Sequence, residues 1–155
     1  MSRRPVVALA LLAAVAVSAV PAHAAKAKPK PIRASYDLTL YPDVYPDVYG
    51  QIPGKEPVCG VLPQSMDKRA FKAPAAGKLV VDLKSPDPTP AASPLHADWD
   101  LYVLDSSGAV VDSSHTEFAS EQTATKLKRR TALTILVCNV TGETSGHVSY
   151  TFTYA

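Results

Sequence analysis

Apolar residues recur with a period of two along most of this chain. Tyr36, Leu38 and Leu40 alternate with Asp37 and Thr39; Leu79, Val81 and Leu83 alternate with Lys78, Val80, Asp82 and Lys84; Val148, Tyr150, Phe152 and Tyr154 alternate with Ser149, Thr151 and Thr153. Successive side chains of a strand point to opposite faces, so each run has one face for an interior. Asp98 to Asp105 and Thr131 to Val140 are rich in β-branched and aromatic residues, and the second is apolar enough for a central strand. Lys68 to Ala73 and Ala109 to Ser113 are shorter candidates. Glu117 to Lys128 is Thr-rich and polar, and suits either a turn or two of helix or an extended edge. Turn residues fall between the runs, at Ala75-Ala76-Gly77, Asp105-Ser106-Ser107-Gly108 and Thr141 to Gly146. The Pro-rich Ser85 to Pro94 reads as a surface loop. Seven or eight strands and no convincing helical period predict an all-β protein, two antiparallel sheets packed as a sandwich.

The amino terminus predicts an address. Arg3 and Arg4 precede the uncharged apolar run Val6 to Val20, and Ala22-His23-Ala24 supplies small residues before a cut at Ala25. The run is shorter than the roughly 20 residues that span a hydrocarbon core, so residues 1–24 read as a cleaved secretory signal rather than an anchor. No stable membrane insertion is expected after cleavage. Pro5 directly after the arginine pair favours the general secretory route over twin-arginine export. Residues 25–34, with Lys26, Lys28, Lys30 and Arg33 among Ala and Pro, read as a flexible basic tether. Residues 35–155 then form one domain. Cleavage removes two of 16 basic residues and none of 14 acidic ones, leaving a formally neutral chain. That balance argues against general nucleic-acid binding.

Cys59 and Cys138 are the only cysteines, and an exported chain favours their pairing as a disulfide. Neither has the nearby histidines of a zinc site, and Leu136-Val137-Cys138 is too apolar for an activated thiolate.

Asp98-Trp99-Asp100-Leu101-Tyr102-Val103-Leu104-Asp105, the following Ser106-Ser107-Gly108 and the closing Ser149-Tyr150-Thr151-Phe152-Thr153 resemble the bacterial pre-peptidase C-terminal domain family. The likeness spans Asp67 to Ala155. It implies a jelly-roll-like sandwich and a role in targeting, substrate binding or maturation beside exported hydrolases. Some members of that family bind calcium. Here Asp98 and Asp100 lie two apart, with Asp37, Asp43, Asp47 and Glu121 as candidates to complete a set of six to eight oxygens. The alternative is that Asp100 accepts backbone hydrogen bonds at a strand entrance while Asp98 is solvated.

The duplicated Tyr41-Pro42-Asp43-Val44 and Tyr45-Pro46-Asp47-Val48, followed by Tyr49, is the most unusual local feature. Extended, it places Tyr41, Asp43, Tyr45, Asp47 and Tyr49 on one face, a tyrosine and carboxylate ladder suited to carbohydrate or protein surfaces. A repeat-expanded loop without a ligand is the simpler account. Catalysis finds little support. Asp112, Ser113, Ser114 and His115 are adjacent, but no nucleophile elbow or metalloprotease helix motif is present. Lys126 to Arg130 reads as the solvated face of a hairpin, and Asn139-Val140-Thr141 matches a glycosylation sequon. The expectation is a secreted, non-catalytic module that binds an extracellular protein or polysaccharide. An accessory, maturation or inhibitory partner of a secreted protease is the alternative, and a hydrolase the third.

Overall fold

A computed structural model describes residues 29–43, 59, 62–86, 97–116 and 119–155. Eight strands carry these residues: β1 Ile32–Thr39, β2 Met66–Lys72, β3 Gly77–Lys84, β4 Asp98–Asp105, β5 Val110–Ser114, β6 Ser120–Leu127, β7 Ala132–Thr141 and β8 Ser145–Tyr154. A short 3-10 turn, Pro63–Ser65, leads into β2. The polar segment before Lys128 is therefore strand, with Glu121 and Thr123 on its buried side. The last residues of the expected tether are strand as well. Ile32, Arg33 and Ala34 pair with Phe152, Thr151 and Tyr150, so the ladder with β8 recruits them as far as Pro31.

The strands form two antiparallel sheets in the orders β1-β8-β3-β6 and β2-β7-β4-β5. Strands 1 and 8, 2 and 7, 3 and 6, and 4 and 5 pair as the rungs of one long folded ribbon, and rolling that ribbon interleaves them. This is the jelly-roll order of two Greek keys. The alternation read from sequence sets which side faces in. Leu79, Val81, Leu83, Val148 and Phe152 of one sheet meet Phe71, Leu101, Val103, Leu133, Ile135 and Val137 of the other. Trp99 is buried between them, and Gly146 makes room for it: a Cβ at that position would lie 2.9 Å from the indole ring.

β4 and β7 are central and are buried on both faces, which is why their runs are nearly continuous rather than alternating. On the outer side of their sheet, Tyr102, Leu104, Leu136 and Cys138 form a second apolar cluster, joined by Cys59, Met66 and Val110. The Cys59–Cys138 disulfide lies in it.

The two lateral edges of the sandwich differ. On one, Asp112 of β5 accepts the Ala124 amide at 3.0 Å and the Thr125 hydroxyl at 2.9 Å, occupying an edge amide of β6 and tying the sheets together. On the other, Arg69 of β2 lies 4.8 Å over the Tyr36 ring of β1 and pairs with Asp67. Burial, with the Asp67 charge second, pushes the Tyr36 hydroxyl pKa up to about 12.

Candidate functional site

The registers place every strand end at one of two poles. The β2–β3 and β6–β7 turns define one of them. Lys72 closes β2 on the outer face of one sheet, and Lys78 and Lys126 stand directly opposite each other on the outer face of the other. Between them the turn Lys128, Arg129 and Arg130 is held to the β2–β3 turn by Arg130 N donating to Ala73 O at 2.8 Å and Ala73 N to Thr131 O at 2.9 Å. All six basic side chains are exposed, and among the described residues none pairs with a carboxylate.

Two local features of this pole work against stability. Like charges directly opposite on a sheet repel, as Lys78 and Lys126 do. Arg130 adopts φ +66°, the left-handed region that costs a side-chain-bearing residue roughly 1–2 kcal/mol. The nearest acid on this pole by topology, Asp105, is committed to its own turn. Its carboxylate accepts the Ser107 amide and hydroxyl and the Ala109 amide, and these bonds hold its pKa below the ordinary carboxylate range.

The other pole gathers carboxylates, and the fold absorbs them. Glu121 is 3% exposed; it accepts the Ser114 hydroxyl on one oxygen and, on the other, the Thr116 hydroxyl and the Thr116 amide at 2.8 Å. Asp100 accepts the Tyr102 hydroxyl at 3.1 Å. Burial raises the Asp100 pKa, opposed by that bond and by His115, and reinforced by Glu121. Asp100 and Glu121 therefore do come near one another, from different sheets. Asp98 faces Thr141 beside a register shift. Asp37 lies elsewhere, on the outer face of the first sheet, 2.6 Å from His147 Nδ1. Among the described residues no three or more His, Cys, Asp or Glu side chains assemble as a metal site.

The serine and histidine cluster does not form a triad. Asp112 is turned to β6, Ser114 donates to Glu121, and His115 stacks on Tyr102 with ring centroids 6.1 Å apart. The tyrosine repeat is divided. Tyr41 is 61% exposed, whereas Asp43 is 3% exposed and its amide donates to Asn139 O at 3.0 Å, so Asp43 is not part of an outward ladder. Tyr45, Asp47 and Tyr49 lie outside the described residues. The sequon fails on burial: Asn139 is wholly inaccessible, and its side-chain amide donates to Leu40 O and Glu143 O at 2.8 Å each.

The basic run was visible in the sequence, but its extension to Lys72 and Lys78 was not. The available signal was the brevity of Ala73 to Ala76, which forces the end of β2 and the start of β3 to one pole. Compared with protein-family models and with curated protein sequences, the chain matches none.

Proposed function

We propose that the protein is an exported, non-catalytic binding module that holds an anionic extracellular polysaccharide against its basic pole. The observation that carries this reading is the cluster of Lys72, Lys78, Lys126, Lys128, Arg129 and Arg130, none paired with a carboxylate among the described residues and gathered from three strand ends and one turn of the two sheets. Exposed cations without internal partners do nothing for the fold, and two of its features cost stability. A concentrated single-sign patch raises the local concentration of opposite charge, and arginine forks suit planar carboxylate and sulfate groups. The leader-like amino terminus and the disulfide support an extracellular setting. The resemblance of the Asp98 to Asp105 strand to pre-peptidase C-terminal domains supports an accessory rather than a catalytic role. Of the groups that invite a hydrolase reading, Asp112, Ser114 and His115 each contact another residue.

Calorimetric titration with a sulfated, a carboxylated and a neutral polysaccharide tests the reading. Binding to the two charged polymers, weakening as salt is raised, is expected. Equal binding to the neutral polymer, or binding to none, overturns it.

A further inference from the structure

The eight-residue β1 is an edge strand with an unusual free side. Sheet edges are normally protected by proline, lysine, a bulge or a covering element. β6 has an edge amide taken by Asp112, and β2 presents the consecutive charges Asp67, Lys68 and Arg69. Among the described residues β1 has none of these protections. Ile32, Arg33, Ala34 and Ser35 are all exposed, Ile32 at 37%, and the only charges in the strand are Arg33 and Asp37.

The hydrogen-bond phase of β1 follows from two bonds at its end. Leu40 N donates to Thr144 O at 2.8 Å, continuing the ladder with β8, while the next amide, Tyr41 N, points the other way to Gln64 O at 3.0 Å. In an antiparallel ladder these directions alternate along the strand. The even-numbered residues of β1 therefore exchange bonds with β8, and the amides and carbonyls of Arg33, Ser35, Asp37 and Thr39 face outward.

We propose that β1 pairs antiparallel with β1 of a second copy, across a twofold axis at Ser35, joining two four-stranded sheets into one. In that register Ser35 meets Ser35, and Arg33 meets Asp37 of the second copy on both sides of the axis. These are the residues whose backbone groups have no partner among the described residues. On the inner face Ile32 meets Leu38 and Ala34 meets Tyr36, so the exposed Ile32 gains apolar cover.

The charges select this register. Centring the pair on Arg33 or on Asp37 puts like charges on the axis, and centring it on Ala34 or Tyr36 leaves neither charge opposite the other. On the outer face the row continues, since Asp37 already contacts His147 and His147 stands opposite Lys84. Antiparallel pairing also sets the basic pole of each copy beside the carboxylate pole of the other.

Sedimentation equilibrium of the purified chain across a wide concentration range tests the pairing, with three variants. Ser35→Pro removes an outward amide while leaving the β8 ladder its donors, and should leave a folded monomer. Arg33→Asp gives an edge with two acids and Asp37→Arg one with two bases; each alone should weaken association at least about tenfold. Mixed one to one, these two chains should recover dimers, because every opposed pair is then of opposite sign. A wild-type chain that stays monomeric at millimolar concentration overturns the proposal. So does a dimer that survives all three substitutions, or a mixture that fails to recover where both single variants are folded monomers.

Discussion

The two poles of the sandwich carry opposite charge and treat it in opposite ways. At the carboxylate pole, Glu121 and Asp100 each have a hydrogen-bond partner on the chain, and burial raises the pKa of Asp100. At the basic pole, lysines and arginines stand exposed and unpaired among the described residues, two lysines face each other, and Arg130 holds a left-handed conformation. Charge with internal partners positions the structure, and charge without them is available to a ligand. At the acid-rich pole, where the sequence offers Asp98 and Asp100 either as metal ligands or as hydrogen-bond acceptors, Asp100 and Glu121 serve the fold as acceptors. The basic run that looked like an ordinary hairpin face is the better candidate surface.

This contrast can be broken most forcefully at the disulfide, on the carboxylate side. Replacing both Cys59 and Cys138 with alanine releases a loop whose ends are 79 residues apart, and should lower unfolding free energy by about 4 kcal/mol. Reductant should then affect the wild type alone; a loss below about 1 kcal/mol would show that the link adds little. Next in size, Glu121→Ala strands the Ser114 and Thr116 donors and should cost about 3 kcal/mol in denaturant unfolding. Arg129→Ala on the other pole should stay within about 0.5 kcal/mol. Similar costs at both sites would erase the distinction. Smaller still, Lys126→Glu places opposite charges across from Lys78 and should raise stability by about 0.5 kcal/mol.

The titrations sharpen the same contrast through pH. The folded state raises the Asp100 pKa, so it favours the protonated carboxyl. Its stabilising contribution is complete below the unfolded pKa and is lost as pH rises through the folded one. Asp100→Asn should therefore gain on the wild type as pH rises across that window, and match it at lower pH. Asp105 has the reverse sign: its pKa is lowered, so its contribution is present above the unfolded value and lost as pH falls through the folded one. Asp105→Asn should flatten the acid side of the stability profile. A shared direction for the two variants would contradict the assignment.

The sandwich was legible because its strands obey local rules. The period of two in Leu79 to Leu83 and Val148 to Tyr154 gave the inner face directly, and the apolar run around Val137 marked a strand covered on both sides. β6 is ambiguous in sequence because its inward positions include the polar Glu121 and Thr123, and the burial of Glu121 depends on Ser114 and Thr116 arriving from the preceding strand end. The start of β1 reads as tether because it follows the Pro- and Lys-rich residues 26–31, although Ile32-Arg33-Ala34 continues the alternation of Tyr36 and Leu38; pairing with β8 makes it strand. The basic pole was half visible. Lys128 to Arg130 are neighbours in sequence, but Lys72 and Lys78 join them through strand pairing between distant segments, which no local pattern encodes. Asp43 and Asn139 show the same limit, since their burial comes from contact between the end of β7 and the chain after β1.

On the proposed reading, the position of the basic residues, and not their number, governs ligand binding, and salt-dependent retention on an immobilised sulfated polysaccharide reads this out. Lys126→Glu with Arg129→Glu is compared against Lys68→Glu with Lys84→Glu, which changes net charge equally but lies outside the basic pole. The first pair should lose retention at low salt while remaining folded, and the second should be retained close to the wild type. Equal losses from the two pairs, or retention unaffected by the first, would contradict that reading.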